Sequence, residues 1–172
     1  FDDVRVRQAF NLAVDRNRLA QINAGEVACQ YLPPNVNGYS SYCPYNGPDL
    51  ARARRLVAES GTKGQPVTIW FYDIPVGHQN GAYLVSVLRS MGYDARVEYV
   101  PHTPGNLTWR PDRQAGVWGW GADSPSANNI LLSFLCSSYT GNPGTNPNAA
   151  ELCDRRIDAQ IATLNKHLAS PL

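Results

Sequence analysis

The chain contains 172 residues, of which 43% are hydrophobic, and it carries a net charge of +1 at pH 7. This length suits one domain with its own core, and the balance of 15 basic and 14 acidic residues argues against nucleic acid as a partner. No apolar stretch reaches the roughly 18 residues of a membrane-spanning helix, and the first residues do not show the basic and apolar regions of a signal peptide.

The first predicted helix spans residues 1–16. Asp2 and Asp3 suit an N-cap and a first turn. Apolar residues recur at helical spacing on one face, namely Val6, Ala9, Phe10, Ala13 and Val14. A helix that starts at the first residue leads us to expect a fragment of a larger protein.

Residues 23–48 are rich in Pro, Gly and Tyr and show no periodicity, so they predict a long ordered loop. Cys29 and Cys43 bracket much of this loop, and Cys136 and Cys153 bracket a second one. Four cysteines allow three pairings, of which we favour the two local disulfides and hence an oxidising compartment. The alternative is four buried thiols, and the lack of a CxxC or CxxH pair disfavours a zinc site.

A second helix is predicted to start at Pro48, with Asp49 in its first turn and Gly61 just after its end. The β-branched and aromatic run at residues 66–72 predicts a strand. A helical stripe over residues 83–91 follows and ends at Gly92, and residues 94–100 predict a second strand. This order forms a βαβ unit, whose strands are parallel.

The remaining chain predicts a surface loop over residues 101–113, a short buried strand over 115–120 and a turn. Two helices are predicted after it, over residues 126–135 and 154–169. We therefore expect a single α/β domain over residues 1–172, with a parallel or mixed sheet flanked by helices.

Three segments carry a resemblance to a known family. Residues 6–16 read Val-Arg-Gln-Ala-Phe-Asn-Leu-Ala-Val-Asp-Arg, residues 49–61 form the second predicted helix, and residues 118–123 read Trp-Gly-Trp-Gly-Ala-Asp. In order and spacing, they resemble the peptide and nickel branch of family 5 of the extracytoplasmic solute-binding proteins of ABC transporters. Leu32-Pro-Pro34 and Gly38-Tyr39 are also placed as in that family.

The resemblance implies one lobe of a bilobed protein with the type II periplasmic-binding-protein fold, this chain being most of the second lobe. A small solute, most simply an oligopeptide, would be enclosed between this lobe and the first and passed to a membrane permease, with no catalysis and no cofactor. An extracytoplasmic location follows, periplasmic or cell-surface, with a lipid-anchored precursor. An oligosaccharide or a nickel complex is the alternative solute, and a secreted hydrolase domain is the alternative outside the family.

Asp123 is the first candidate binding residue. The resemblance implies that it pairs with the α-ammonium group of a peptide ligand, and a carboxylate at the end of a buried strand attracts a cation strongly once a closed cleft excludes water. The alternative role is to cap the helix that follows. Ser126 and Ala127 stand where relatives often carry an acidic residue and a proline, which argues against a peptide.

Three aromatic residues complete the candidate site. Trp118 and Trp120 are two residues apart and face the same side of a regular strand. Trp120 is nearer the carboxyl end, where ligands bind in α/β folds, whereas Trp118 also suits the core. Tyr39 lies on a loop and can line a pocket. The histidines at positions 78, 102 and 167 lie on two loops and a terminal helix, and no metal site is predicted from them.

Overall fold

The computed structural model describes residues 1–103, 114–116, 126–141 and 147–169. Within them the chain divides into two compact units. The first unit contains residues 1–29, 42–103 and 114–116, and the second contains residues 30–41, 126–141 and 147–169. The single domain expected over residues 1–172 stays a prediction.

The first unit opens with two helices rather than one. Helix α1 spans Val4–Ala13, with the Asp3 carboxylate accepting the backbone N–H of Arg5 at 2.7 Å. Helix α2 spans Arg16–Ile22, and Asp15 caps it by accepting the N–H groups of Asn17 and Arg18. The predicted helix over residues 1–16 is therefore wrong at both ends. It begins at Val4, after its cap Asp3, and it ends at Ala13, because Val14 is extended and Asp15 caps a new helix.

The cap of α1 makes stability depend on pH in the acid range. Hydrogen bonds from the Arg5 side chain and backbone lower the pKa of Asp3 from 3.8 to about 2. Because the folded-state pKa is the lower one, this contribution is present above pH 3.8 and is lost as the pH falls through about 2. We expect Asp3→Asn, which keeps the cap but not the charge, to flatten the fall in Tm between pH 4 and pH 2. Asp2→Asn is the matched control, and equal slopes in the two variants would contradict this assignment.

The βαβ unit is confirmed. Strand β1 spans Pro66–Tyr72, helix α4 spans Pro75–Met91 and strand β2 spans Asp94–Val100. Helix α3 precedes them at Leu50–Ser60. Its N-cap is Asp49, so Pro48, predicted as the first helical residue, and Asp49, predicted in the first turn, both lie before the helix. Gly61 and Gly92 end α3 and α4 at φ values of +72° and +104°, which non-glycine residues rarely adopt.

The sheet is parallel and has the order β2, β1, β3, where β3 is Ala115–Gly116. Ile69 is paired with Val97 on one side and with Ala115 on the other. Alternate residues of β1 are buried, and α4 packs on β1 and β2. The resulting core includes Val6, Ala9, Ala53, Val57, Val67, Ile69, Phe71, Leu88 and Met91.

Helix α4 also holds α2 in place through polar contacts. Asn80 is 8% exposed and exchanges two side-chain hydrogen bonds with Asn23, at 2.9 and 3.0 Å. The Tyr83 hydroxyl accepts the backbone N–H of Asp15 at 2.8 Å, and burial raises the pKa of Tyr83. These contacts satisfy polar groups that the packing of the two helices removes from water.

The second unit is smaller. Helix α5 spans Ala127–Leu131 and continues as a 3₁₀ turn over Leu132–Phe134, whereas helix α6 spans Arg155–Ala169. Its cluster of buried hydrophobic residues consists of Val36, Ala127 and Ile130, with Leu32 and Leu131 packed against them. Asn148 is 1% exposed and ties the loop before α6 to the backbone of Leu135 and Leu152.

Both predicted disulfides are present. Cys29 is bonded to Cys43 across a Cα separation of 4.7 Å, and Cys136 is bonded to Cys153 across 4.4 Å. The Cys136 backbone N–H donates to Asp158 of α6 at 3.1 Å, which connects the second bridge to that helix. Among the helices that the structure describes, none has the length and apolar character that crossing a bilayer requires.

Candidate functional site

The predicted site residues fall into two groups. Asp123, Trp118 and Trp120 lie outside the described residues, so their roles stay predictions. Tyr39 is described and lies in the second unit, where it is 39% exposed and donates its N–H to the Val36 carbonyl at 3.1 Å. The N-cap position of α5 is Ser126, whose side chain makes no capping hydrogen bond, and the capping alternative for Asp123 stays a prediction.

The carboxyl ends of the strands form the candidate site of the first unit. In parallel sheets these ends meet at one edge, which is where α/β proteins bind their ligands. Strand β1 ends at Tyr72 and β2 at Val100, and the Asp73 N–H donates to the Val100 carbonyl at 2.8 Å. In the sequence, Trp118 follows two residues after Gly116, the last residue of β3.

Five side chains lie at this edge in two groups on opposite faces of the sheet, and we call them together the carboxyl-edge cluster: Asp73, His78 and Tyr99 on the face of α4, and Tyr72 and His102 on the other. The His78 Nε2 atom lies 2.7 Å from Asp73 Oδ1, and the His78 ring stacks on Tyr99 at 4.0 Å between centroids. Tyr72 and His102 meet edge to face at 4.5 Å. The cluster therefore combines a carboxylate, two imidazoles and two phenols at one end of the sheet.

The exposure of the cluster determines what it can do. The side chains of His78 and Asp73 are 51% and 65% exposed, so their pairing adds little to stability. The same exposure leaves one carboxylate oxygen and the imidazole edges accessible to a solute. Such groups can accept a hydrogen bond from an amide or ammonium group, and the rings can stack on a planar group.

Sequence analysis missed this cluster and placed His78 on a loop, which is wrong because His78 lies in the first turn of α4. Helix α4 begins at Pro75, well before the apolar stripe at residues 83–91 from which it was predicted. The available signal was positional, since polar residues that directly follow parallel strands share one edge of the sheet.

Gly77 allows α4 to start against the end of β1. A Cβ atom at this position would collide with the carbonyl oxygen of Tyr72. We expect Gly77→Ala to lower the free energy of unfolding by about 2 kcal/mol, because backbone atoms must shift to admit the methyl group. Urea denaturation measures this change. Gly25→Ala is the control, since the nearest atom to its Cβ is 3.9 Å away, and equal stabilities would contradict the close approach.

The second unit contains further aromatic side chains besides Tyr39. Asn37 forms a parallel bridge with Ser126, directly before α5, and the Tyr31 ring meets Phe134 edge to face at 4.3 Å. Burial raises the pKa of Tyr31, although the side chain is 45% exposed. Tyr139 is also partly exposed.

Nowhere in residues 1–103, 114–116, 126–141 and 147–169 do three His, Cys, Asp or Glu side chains gather closely enough to hold a metal ion. His78 of the carboxyl-edge cluster pairs with the Asp73 carboxylate and stacks on Tyr99, so a solute would meet hydrogen-bonding and stacking groups there.

Comparison with known proteins identifies the family. The family model described as bacterial extracellular solute-binding proteins, family 5 middle, matches residues 1–142. Heme-binding protein A of Haemophilus influenzae is 30% identical over 94% of this chain and 30% of its own length. Di/tripeptide-binding protein 3 of Pseudomonas aeruginosa is 25% identical over 94% of this chain and 31% of its own length.

A solved structure gives the same result for the fold. The clavulanic acid biosynthesis oligopeptide binding protein 2 superimposes with a TM-score of 0.81 and 22% identity over 94% of this chain and 32% of that chain. The predicted fold, a lobe of the type II periplasmic-binding-protein class with a parallel sheet flanked by helices, is confirmed. The chain spans about a third of the length of these relatives.

Proposed function

Because the chain belongs to family 5 of the bacterial extracellular solute-binding proteins, we propose that it forms one lobe of a receptor that captures a small solute for an ABC importer. The observation that carries this proposal is the family match over residues 1–142, which includes both the carboxyl-edge cluster and residues 118–123. In this proposal the solute is held between this lobe and the first lobe of the same protein.

An oligopeptide is the proposed solute. Two of the relatives are named for binding oligopeptides or di- and tripeptides, and a peptide carries the groups that the candidate residues recognise. Asp123 would pair with the α-ammonium group, Trp118 and Trp120 would wall the pocket, and Tyr39 would line it. In the first unit, Asp73 and His78 offer hydrogen-bonding groups at the carboxyl edge of the sheet.

Haem is the competing solute, because a relative at 30% identity is named for binding it. The two imidazoles and two phenols of the carboxyl-edge cluster are groups that can stack on a porphyrin or ligate its iron. A peptide uses the same edge without needing an axial ligand. Haem binding therefore requires the histidines of the cluster as iron ligands, whereas peptide binding does not.

The proposed receptor is not an enzyme. Capture of a solute requires closure around it and no reactive group. A membrane permease would accept the closed form. We further propose an extracytoplasmic site of action, which agrees with the two disulfides, and a lipid anchor in the full-length precursor.

Native mass spectrometry of the full-length protein with its co-purified solute tests the proposal. We expect a peptide mass, and titration calorimetry should then give submicromolar to micromolar binding of di- to tetrapeptides. The isolated 172-residue chain should bind the same peptides at least about 100-fold more weakly, because half of the cleft is missing. If the co-purified solute had the mass of haem, and if substituting His78 and His102 abolished its binding, haem would replace peptide as the proposed solute. Hydrolysis of the peptides by the protein would refute a non-catalytic receptor.

A further inference from the structure

The chain leaves the first unit after Cys29 and returns to it at Tyr42. Residues 30–41, which lie between, belong to the second unit. The Cys29–Cys43 disulfide closes the base of this excursion, and both of its cysteines belong to the first unit. We call residues 30–41 the inserted segment.

The inserted segment contributes a large share of the hydrophobic cluster in the second unit. Val36 is 5% exposed and is one of three buried residues in that cluster, and Leu32 packs against it. Tyr31 contacts Phe134, and Asn37 bridges to Ser126. Four residues of the inserted segment therefore contact residues 126–134 or the side chains packed with them.

The inserted segment has little structure of its own to keep it in place. It contains no helix or extended strand, and two turn bonds order its backbone, from Val36 to Pro33 and from Tyr39 to Val36, both 3.1 Å. A covalent link at the base reduces the conformational freedom that the segment would gain on leaving the cluster. For a loop of this length the effect corresponds to roughly a 100-fold change in the equilibrium between docked and released states.

We propose that the Cys29–Cys43 disulfide is a redox-sensitive clasp, whose reduction releases the inserted segment and loosens the second unit while the first unit stays folded. The two units respond differently because the inserted segment contributes to the hydrophobic cluster of the second unit only. Removing Val36 and Leu32 leaves Ala127 and Ile130 as the buried hydrophobic residues of the second cluster, whereas the core of the first unit contains no residue of the inserted segment. The Cys136–Cys153 bridge lies wholly within the second unit and does not hold the inserted segment.

A dithiol supplies the two electrons and two protons that this reduction needs. One thiolate of the reductant attacks Cys29 or Cys43, a mixed disulfide forms, and the second thiol displaces the protein sulfur. The protein gains two electrons and two protons as two thiols, and the reductant leaves as a disulfide. Cys29 and Cys43 both line a surface cavity of about 170 Å³, together with Val27, Tyr45 and Gly47, which gives a reductant access.

Hydrogen exchange with mass spectrometry on the 172-residue chain tests the clasp. We compare the oxidised chain, the Cys29→Ser/Cys43→Ser variant and the Cys136→Ser/Cys153→Ser variant. In the first variant, protection should fall by about 100-fold in residues 30–41 and should also fall in residues 126–134, with β1 and β2 unchanged. In the second variant, the loss should centre on the segments around Cys136 and Cys153, with residues 30–41 still protected.

Reversible reduction keeps the test valid if the first variant does not fold. The Cys136→Ser/Cys153→Ser chain, purified oxidised, retains only the clasp, and dithiothreitol should then release residues 30–41 and reoxidation should restore their protection. Unchanged exchange in residues 30–41 and 126–134 after reduction would refute the proposal. Equal loss of protection in β1 and β2 would also refute it, since reduction would then unfold the whole chain.

Discussion

Replacing Asp123 with asparagine in the full-length protein is expected to weaken the binding of peptides with a free α-ammonium group by about 2 to 5 kcal/mol. The reason is that the amide keeps the shape of the side chain but leaves the ligand ammonium without a counter-charge in a cleft from which water is excluded. Titration calorimetry with a dipeptide and a tripeptide measures the difference. The effect should appear mainly as faster dissociation.

N-terminally acetylated peptides provide the ligand control for this experiment. They lack the ammonium group, so wild type and Asp123→Asn should bind them with similar affinity. Asp94→Asn, at the exposed start of β2, is the matched protein control and should bind free peptides as the wild type does. If Asp123→Asn bound peptides with a free α-ammonium group as tightly as the wild type does, Asp123 would not belong to the binding site.

Substituting Asn148 with alanine is expected to lower the stability of the second unit by about 3 kcal/mol. Its amide group donates to the carbonyls of Leu135 and Leu152 and accepts the N–H of Leu152, at 3.1, 2.6 and 3.0 Å. Alanine cannot make these three hydrogen bonds, so the backbone groups of Leu135 and Leu152 lose a partner in a buried site. Urea denaturation gives the size of the loss, and hydrogen exchange locates it.

Asn35→Ala is the matched control for Asn148, because Asn35 is an exposed asparagine of the same unit. It should change stability by less than about 0.5 kcal/mol. The loss in Asn148→Ala should be confined to residues 126–141 and 147–169, with β1 and β2 still protected from exchange. If the two variants were equally stable, Asn148 would not be organising this loop.

The elements that sequence analysis located best are those with strong local signals. The strands over residues 66–72 and 94–100 are both confirmed, because their β-branched and aromatic composition suits half-buried parallel strands. The ends of α3 and α4 at Gly61 and Gly92 are confirmed as well, since only glycine adopts positive φ readily there.

Other boundaries depended on contacts that local patterns do not contain. The first turns of α4 carry Gly77, Asn80 and Gly81 instead of an apolar stripe. Gly77 and Gly81 are buried because the helix approaches the sheet closely, where a Cβ on Gly81 would stand 2.9 Å from Val97 Cγ2. Asn80 is buried where it bonds Asn23 at the end of α2. The break between α1 and α2 arises because Asp15 caps a new helix. The apolar face of residues 1–16 is continuous, so the sequence pattern gave no sign of this break.

The candidate site also contains residues predicted from a sequence motif and residues that only the tertiary structure brings together. Trp118, Trp120 and Asp123 were predicted from a motif, and their binding roles stay predictions. His78, Asp73 and Tyr99 are separated along the chain and carry no motif, yet the parallel pairing of β1 and β2 and the start of α4 at Pro75 bring them together.

By itself the sequence determined the family, the βαβ unit, the absence of a strong charge bias and the cysteine pairs, because each depends on composition or on spacing along the chain. The tertiary structure alone decided which polar side chains share the carboxyl edge of the sheet. It also decided that residues 30–41 build the second unit and that Asn148 is buried. The physical reason is that these features are contacts between distant segments, whose free energy appears only when packing has removed both sides from water.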